Sequence, residues 1–349
     1  MPTTVTSSSG TVYHLWQLPE LSSPEPSESI AFNTLRNDLG DGYRSQVLFG
    51  SNTGLRSWSL RLPTLASIDV LPNTVTGING ESVSREQYVW DLYCEQQVTG
   101  DPFVYTSPRN GQYYLVEFVD EKLTYEQARV KLYSTGLELR QVRISGETVF
   151  DVSKVSGVWG WYKGALNSGT TWVPTTGSVN FTATGDVIET TYNSKPILRF
   201  NSVSTDGRLS APAATNVTVY DLFMVVKARE TTFGQTSGFF TDNAAATANY
   251  VIYGLNGQAN ITIIGTDYQK NGVSDTAPPL PGPLAAWAVL HVQNTSGNTI
   301  ARPQIGQRDS GTSGGAEIDV GEVIVTNAQL SKATIREITE SLMVKWGVA

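Results

Sequence analysis

The stretch GEVIVTNAQLSKATIREITESLMVKWGV, Gly321 to Val348, joins a short apolar β-type run to an amphipathic helical pattern. Ser331 stands before the helical part and carries a hydroxyl of the kind that caps helix N-termini. The apolar positions that follow recur at helical spacing: Ile335, Ile338, Leu342, Met343 and Trp346. The stretch therefore predicts a last strand and a C-terminal helix that packs its apolar face against a β domain.

The region before this stretch has the pattern of an all-β domain. From Val158 to Val325 many short β-type runs are separated by clusters of Gly, Asn, Asp, Ser and Pro, such as Ser274 to Pro283, and no convincing helix interrupts them. This pattern is typical of a β-sandwich or jelly roll. We therefore expect residues 147–349 to form a sandwich with a C-terminal helix.

The first half predicts a small β domain with one helix over residues 31–146. The run RSWSLRL, Arg56 to Leu62, alternates apolar and polar side chains as a half-buried strand does. A helix is expected after Ser84, with Gln87 three residues later as in a capping box and Gly100 at its end. Its apolar stripe consists of Tyr88, Val89, Leu92 and Tyr93.

Three further β segments are expected after that helix. Two are strands, at Phe103 to Thr106 and Tyr113 to Val119. The third, Ala128 to Ile144, predicts a hairpin that turns at Ser134–Gly136. Residues 1–30 are rich in Ser, Thr and Pro, and we interpret them as an extended N-terminal arm without packed elements.

Composition excludes several classes of protein. The chain has 349 residues, 40% of them hydrophobic, with 24 Lys and Arg against 32 Asp and Glu and a formal net charge of -8. That length and hydrophobic content indicate two folded domains. A pI near 4.9 argues against tight binding to duplex nucleic acid. No basic start with an apolar segment marks a secretory signal, and no apolar run is long enough to span a membrane.

The residue types of many catalytic and metal sites are scarce. Cys94 is the one cysteine, so neither an intramolecular disulfide nor a cysteine-based metal site is expected. His14 and His291 lie far apart in sequence and have no spaced partners, which favours structural or surface roles. Cys94 is interpreted as a small core residue of the first helix. No glycine-rich phosphate loop is present.

Four segments of the first half occur in an order that matches a known family. They are GDGYRSQ at Gly40 to Gln46 with SNTGLRSWSLRL after it, the helix ending EQQVTG, the strand PFVYTSP at Pro102 to Pro108, and LELRQV at Leu137 to Val142. In these segments the chain resembles the phage minor tail protein family, the ring-forming tail-tip proteins of long-tailed bacteriophages. The resemblance covers about 100 residues, from Gly40 to Ile144.

The resemblance implies an assembly motif at Gly40, Asp41, Gly42, Tyr43 and Arg44. The glycines permit a tight turn with positive φ, and the tyrosine ring can lie beneath it. Two features depart from the family. Here the order after the tyrosine is Arg44, Ser45, Gln46, and an insertion from Pro63 to Ser82 separates the strand from the helix. The insertion is long enough to be a functional loop.

The family further implies a homo-oligomeric ring, a hexamer, that contacts the tail tube protein and the tail-tip or baseplate hub proteins. Such a ring closes through heterologous interfaces, for which the N-terminal arm and the inserted loop are candidates. The location implied is the virion, at the tail tip or baseplate, after synthesis in the host cytoplasm. An acidic protein would suit a channel through which DNA slides.

Three segments of the second half match a different family. They are KPILRFNSV at Lys195 to Val203, DLFMVVKAR at Asp221 to Arg229, and the terminal stretch, in which Leu330-Ser331 opens the helix and Lys345-Trp346-Gly347 closes it. In these segments the chain resembles concanavalin A-like, laminin-G-type lectin domains. The resemblance implies a sandwich of about 200 residues that could bind host-surface glycans. Fold alone does not establish activity, so a purely structural role remains open.

The string EIDVGE, Glu317 to Glu322, resembles the catalytic strand of retaining jelly-roll glucanases. With a bulge at Gly321, Glu317 would act as nucleophile and Glu322 as acid/base, while Asp319 tunes both. Only a strand and the terminal helix follow the motif, whereas those enzymes carry it centrally. We therefore expect a protein that is not an enzyme, with a glycan-degrading enzyme or a bacterial surface adhesin as alternatives.

Aromatic and acidic residues supply the remaining candidates. Trp159 and Trp161 alternate and are expected to share the core face of a strand, whereas Trp172 is the candidate for an exposed carbohydrate-binding ring. No cofactor is expected. The lectin resemblance leaves calcium as an alternative at four loop aspartates, namely Asp206, Asp242, Asp267 and Asp275.

Overall fold

The computed structural model divides the chain into two compact units, Met1–Asp151 and Val152–Ala349. The predicted boundary, between residues 146 and 147, lies close to this division. The structure describes residues 4–16, 27–31, 34–38, 44–48, 55–66, 74–119, 123, 125–129, 132–144, 148–201, 207–213, 215–229, 237–242, 251–254, 261–263, 267–275, 284, 286–307 and 316–348.

The first unit contains strands β1 to β12 and helix α1. Their bounds are β1 Thr4–Thr6, β2 Val12–His14, β3 Ser27–Ala31, β4 Thr34–Asp38, β5 Arg44–Leu48, β6 Leu55–Ala66, β7 Thr74–Thr76, β8 Ser82–Ser84, α1 Arg85–Thr99, β9 Phe103–Thr106, β10 Tyr113–Phe118, β11 Glu126–Arg129 and β12 Leu132–Gln141. The main sheet is antiparallel in the order β3-β6-β12-β10-β9, with β11 paired to β12.

Helix α1 has the ends that the sequence predicted. The Ser84 hydroxyl accepts a hydrogen bond from the Gln87 backbone N–H at 3.1 Å, and Gly100 takes a left-handed conformation at the C-terminus. The predicted apolar stripe is buried and packs with Trp58 and Tyr105 of the sheet in one cluster. The strand predicted at Arg56 to Leu62 lies within β6, and β9 and β10 occupy the predicted segments.

The N-terminal segment differs from the predicted arm. Strands β1 and β2 pair as a hairpin, and Tyr13, Leu15 and Trp16 are buried. Trp16 lies 5.9 Å from Phe103 and from Tyr88, ring centre to ring centre, so it belongs to the core. The Ser, Thr and Pro content suggested an extended chain, but Tyr13, Leu15 and Trp16 have a sheet to pack against. Residues 17–26 lie outside the described part.

The predicted hairpin at Ser134–Gly136 is wrong. These residues lie inside the continuous strand β12, and the chain reverses instead between Arg129 and Leu132, where β11 meets β12. Thr135 and Gly136 pair with Leu62 and Arg61 of β6, next to a register shift. The long pairing of β12 with β6 therefore overrides the local turn propensity. The inserted loop at Pro63 to Ser82 begins as strand β6 and includes β7, which pairs with β8.

The second unit contains strands β13 to β28 and helix α2. Their bounds are β13 Val158–Lys163, β14 Thr171–Trp172, β15 Thr176–Gly177, β16 Phe181–Thr184, β17 Val187–Tyr192, β18 Lys195–Phe200, β19 Arg208–Ser210, β20 Val217–Ala228, β21 Ser237–Asp242, β22 Ile252–Gly254, β23 Ile261–Ile263, β24 Asp267–Lys270, β25 Val273–Asp275, β26 Ala288–Ile300, β27 Pro303–Ile305, β28 Ile318–Thr326 and α2 Lys332–Trp346. A short 3₁₀ turn, Val152–Lys154, precedes them.

Two antiparallel sheets enclose the core of this unit. The larger has the order β15-β13-β28-β20-β26-β24-β25, with β18 also paired to β28 and β17 to β18. The smaller has the order β14-β16-β19-β27-β21-β22-β23. Their inner faces share one apolar cluster that contains Leu222, Met224 and Val323 from the larger sheet and Phe181 and Phe240 from the smaller. The predicted mainly β fold, with one helix in the first unit and a sandwich that ends in a helix, is confirmed.

Helix α2 packs against the larger sheet, where it contacts β20 and β26. The Ser331 hydroxyl accepts from the Thr334 N–H at 3.2 Å, and Gly347 closes the helix in a left-handed conformation. The stripe is buried at Ile335, Ile338, Leu342 and Trp346, as predicted, and Met343 is half-buried. Among the described residues, no helix is long and apolar enough to cross a membrane.

Candidate functional site

The outer face of the larger sheet brings charged and aromatic side chains together beside the end of α2. In β28 the residues that point inward include Val320 and Val323. Gly321 is the extra residue of a register shift between them, opposite Val225 and Val226. Because side chains alternate along a strand, Asp319 and Glu322 both point to the outer face.

A row of outward residues crosses the sheet at Asp319. Arg199 of β18 pairs with Asp319 on one side, and Lys227 of β20 pairs with it on the other. Beyond Arg199, the row continues to Ile188 of the outlying strand β17, whose side chain is 45% exposed. Paired residues in an antiparallel sheet share a face, so these side chains are neighbours.

Two arginines share the Asp319 carboxylate. Arg199 binds it with both Nε, at 2.8 Å from Oδ1, and Nη2, at 3.0 Å from Oδ2. Arg229 Nε lies 3.3 Å from Oδ1, while its Nη2 donates to the carbonyl of Phe200 and to Asn201 Oδ1. The hydrogen bonds that Arg199 donates to Asp319 raise the pKa of Arg199 above its usual value. The Asp319 side chain is 5% exposed and that of Arg199 is 39% exposed, so the guanidinium reaches solvent.

Glu322 is a buried carboxylate with three donors. Its Oε1 accepts from Trp161 Nε1 at 2.5 Å, and its Oε2 accepts from Lys345 Nζ at 2.6 Å and from Trp346 Nε1 at 3.0 Å. The glutamate is 1% exposed. It thereby joins strands β13 and β28 to the last turn of α2.

Three aromatic rings form a row beside these charges. Trp346 lies over Gly321, where an added Cβ would meet its ring at 2.6 Å. Trp287 stacks on Trp346 with ring centres 5.9 Å apart, and Tyr192 stacks on Trp287 at 4.7 Å. Trp346 is buried, whereas Trp287 and Tyr192 are half-buried. The row therefore runs from the sheet toward solvent; we call Tyr192 and Trp287 the aromatic platform.

The predicted catalytic alternative occupies this outer face. Asp319 and Glu322 lie on one side of the strand with the extra residue at Gly321, and Glu317 precedes them, its carbonyl accepting from the Arg229 N–H at 2.8 Å. The carboxylates of Asp319 and Glu322 are buried in ion pairs. Chemistry at either carboxylate would first have to break those contacts.

The tryptophans predicted from sequence lie elsewhere than expected. Trp172 is fully buried: β14 pairs with β16, its ring faces Tyr162, and its Nε1 donates to the Gly164 carbonyl at 3.1 Å. Trp172 is therefore not an exposed sugar contact. Trp159 packs against the core, but a register shift near it turns Trp161 to the outer face, so the two do not share a face.

The four loop aspartates do not converge on a cation site in the described part of the chain. Asp242 is buried and accepts from the backbone N–H groups of Ala301 and Arg302 at 3.0 and 3.2 Å. Asp267 and Asp275 belong to β24 and β25, and Asp206 lies outside the described residues. No group of three or more His, Cys, Asp or Glu that could hold a metal occurs among the residues that are described.

His291 belongs to a second buried polar cluster, under α2. Its Nε2 lies 2.9 Å from Asp221 Oδ1, which also accepts from Gln293, while Asp221 Oδ2 accepts from the Leu330 N–H just before the helix. Both Asp221 and His291 are buried, and the cluster therefore anchors the helix start. His14, by contrast, lies 3.6 Å from Glu95 at the surface of the first unit, and Cys94 is half-buried.

The predicted assembly motif cannot be placed. Residues 39–43, with Gly40, Asp41, Gly42 and Tyr43, lie outside the described residues. Arg44 opens strand β5, and its side chain is not described. The motif therefore remains a prediction from sequence.

Comparisons with known proteins give structural neighbours only. No protein-family model and no curated protein matches the chain. Solved structures of a Trypanosoma rangeli sialidase do match. The complex with 2,3-difluorosialic acid is 13% identical with a TM-score of 0.40, covering 70% of this chain and 45% of that one. The complex with sialic acid is 10% identical with a TM-score of 0.37, covering 91% and 53%. The chain thus spans about half the length of these structures.

One prediction is corrected by these matches. The sequence predicted a protein that is not an enzyme, whereas the matching solved structures are those of sialidases, including a mutant that displays trans-sialidase activity. That prediction is therefore not retained. Because the TM-scores are 0.40 and 0.41, the likeness assigns no reaction and no substrate to this chain.

Sequence reasoning missed the aromatic platform. Tyr192 directly precedes Asn193 and Ser194, which turn the chain with positive φ, and Trp287 directly precedes β26. Aromatic residues at strand ends beside turns are a weak signal for a surface site. Nothing local indicated that the two rings meet, since they come from strands on opposite sides of β28.

Proposed function

We propose that the second unit binds a glycan on the outer face of its larger sheet. The observation that carries the proposal is the aromatic platform, two stacked, half-buried rings on the same face as outward charged groups. Aromatic rings offer a flat apolar face that complements the C–H face of a sugar ring. Arg199, with 39% of its side chain exposed, supplies a planar donor for sugar hydroxyls or acidic groups.

The support beneath the platform favours binding over accidental exposure. Trp346 backs the platform and is fixed on one side by Gly321 and on the other by its hydrogen bond to Glu322. Asn193 Nδ2 donates to the Trp346 carbonyl at 3.3 Å and so joins the β17–β18 turn to the helix end. A site held on strands by packed neighbours loses little entropy when a ligand binds.

A glycan array with the full chain tests this proposal. We expect selective binding that Tyr192→Ala weakens about two- to tenfold, in line with the ~0.5–1.5 kcal/mol that aromatic contacts contribute beyond area. The matched control is Trp90→Ala, which removes a ring that is 47% exposed on α1 of the first unit. Equal binding by wild type and Tyr192→Ala, with both folded by circular dichroism, would refute the platform as the site.

A second assay on the glycans that bind distinguishes binding from cleavage. Each glycan that binds is incubated with the chain, and newly released reducing ends are measured. Release that is abolished by Glu317→Gln would establish the glycan-degrading alternative, since Glu317 was the predicted nucleophile. Stable, unaltered glycans would leave recognition as the function of the surface.

For the first unit we propose a role in assembly at a phage tail tip or baseplate, which mounts the glycan-binding unit on the virion. Beyond the sequence resemblance, the charge distribution supports this role. Residues 1–151 contain 11 Lys and Arg against 18 Asp and Glu, so nearly all of the net charge of -8 belongs to the first unit. An acidic ring would let DNA pass without adhering. Ring display would also strengthen weak glycan contacts by multivalency.

Electron microscopy of the purified chain tests the assembly role. A closed ring, with six subunits expected, supports it, and single particles that stay monomeric at all concentrations and are absent from virions contradict it. This result is independent of the glycan array, so the two halves of the proposal can fail separately.

A further inference from the structure

Four basic side chains lie on the same outer face as the aromatic platform. Lys195 pairs with Tyr192 in the β17–β18 hairpin, Arg199 and Lys227 flank Asp319, and Arg229 lies beside the same carboxylate. We call Lys195, Arg199, Lys227 and Arg229 the basic patch. All four are partly exposed.

The carboxylates nearby do not neutralise the patch. Asp319 is shared by the two arginines, so one negative charge faces two positive ones. Glu317, two residues before Asp319, and Asp186, whose carboxylate accepts from Asn201 Nδ2 at 3.0 Å, bring the nearby acidic residues to three against the four basic ones. No ion pair joins Lys195 or Lys227 to another residue within the described part of the chain. A positive surplus therefore remains beside the aromatic rings.

The local surplus is not a property of the whole unit. Residues 152–349 contain 13 Lys and Arg against 14 Asp and Glu, so the unit is close to neutral and slightly acidic. Basic groups gathered beside a binding surface on such a unit attract anions to that surface in particular. The guanidinium groups are also fixed in place by Asp319, which prepares them for planar acidic groups on a ligand.

We propose that the glycan bound on the aromatic platform is an acidic polymer, whose carboxylate or phosphate groups lie on the basic patch while a sugar ring stacks on Tyr192. This inference rests on the proposed glycan-binding function and specifies the class of ligand. The platform supplies contact with the sugar ring, and the patch selects chains with regularly repeated negative charge. Both elements lie on one face of the sheet. Ala288 pairs with Val226, so Trp287, directly before Ala288, and Lys227, directly after Val226, lie side by side.

Binding of the full chain to three polymers tests the inference: polygalacturonate, poly(glycerol phosphate) and neutral dextran. The two acidic probes separate a carboxylate source from a phosphate source. The test variant combines Lys195→Gln and Lys227→Gln, which leaves the Arg199–Asp319 pair intact. The control is Lys332→Gln, at an exposed lysine in the first turn of α2.

We expect at least one acidic polymer to bind, dextran not to bind, and the double variant to lose about tenfold in affinity, as two partly exposed ion pairs would contribute. The affinity should also fall as salt is raised. The Lys332 variant should bind like wild type. Tyr192-dependent binding of a neutral glycan, unchanged in the double variant, would overturn the acidic ligand while sparing the proposed function. Failure of every glycan and polymer to bind would overturn both.

Discussion

Replacement of Glu322 by glutamine should destabilise the second unit strongly although the side chain keeps its shape. The carboxylate accepts three hydrogen bonds, from Trp161, Lys345 and Trp346, while only 1% exposed. An amide has one accepting oxygen and an NH₂ group that must face at least one of these donors. Each charge-assisted hydrogen bond contributes about 1.5–3 kcal/mol, and an unsatisfied buried donor adds a cost of similar size.

The Lys345 side chain is 16% exposed and can turn to water, which reduces the penalty for its lost partner. We therefore expect a loss of about 3 kcal/mol in the free energy of unfolding, below the ~3–5 kcal/mol for a fully buried pair. For a domain of this size that corresponds to a melting temperature about 6–12 °C lower.

Scanning calorimetry and urea unfolding followed by tryptophan fluorescence both measure this change. The matched control is Glu189→Gln, an exposed carboxylate of the same unit whose bond from the Leu166 N–H, at 2.9 Å, an amide oxygen can accept. The control should stay within about 0.5 kcal/mol of wild type. A Glu322→Gln variant as stable as this control would refute the three-donor arrangement and with it the anchoring of Trp346.

Three further changes test the packing of the sandwich. Gly321→Ala should cost about 1–3 kcal/mol in urea unfolding, because its Cβ would lie 2.6 Å from the Trp346 ring. Asp221→Asn should cost about 3–5 kcal/mol in the same assay, since it leaves His291 and two further donors without a buried charge partner. Burial raises the pKa of Tyr162 well above its usual value of 10.0. The stability that this tyrosine contributes should therefore be complete below pH 10 and fall as pH rises further. In an alkaline titration of the native protein, Tyr162→Phe should lower the tyrosinate absorbance less than replacement of an exposed tyrosine does.

The parts of the fold that sequence predicted are those that local signals decide. The ends of α2 at Ser331 and Gly347 and its buried stripe follow from capping chemistry and 3.6-residue spacing. The same holds for α1 between Ser84 and Gly100. A helix satisfies its own backbone, so its sequence suffices to identify it.

The errors occur where pairing between distant strands decides. Gly136 was predicted to lie in a turn but is part of strand β12, because β6 provides a long antiparallel partner for that strand. Trp172 was predicted at the surface but faces the core, because the pairing of β14 with β16 fixes which way its ring points. A single register shift at Trp159 likewise separates it from Trp161.

The candidate site was only partly accessible to sequence reasoning for the same reason. The carboxylates of EIDVGE were singled out, but their partners Arg199 and Lys345 come from another strand and from the helix. The stacking of Tyr192 on Trp287 depends on how β17 and β26 are placed around β28, which no local pattern encodes.

The central claim is tested most directly by a crystal structure of the full chain in complex with an oligosaccharide that binds on the array. The account predicts a sugar ring stacked on Tyr192 with its acidic group within hydrogen-bonding distance of Arg199 or Lys227. A sugar bound at another position, such as the loops at the ends of the sandwich, with the aromatic platform empty, would contradict it.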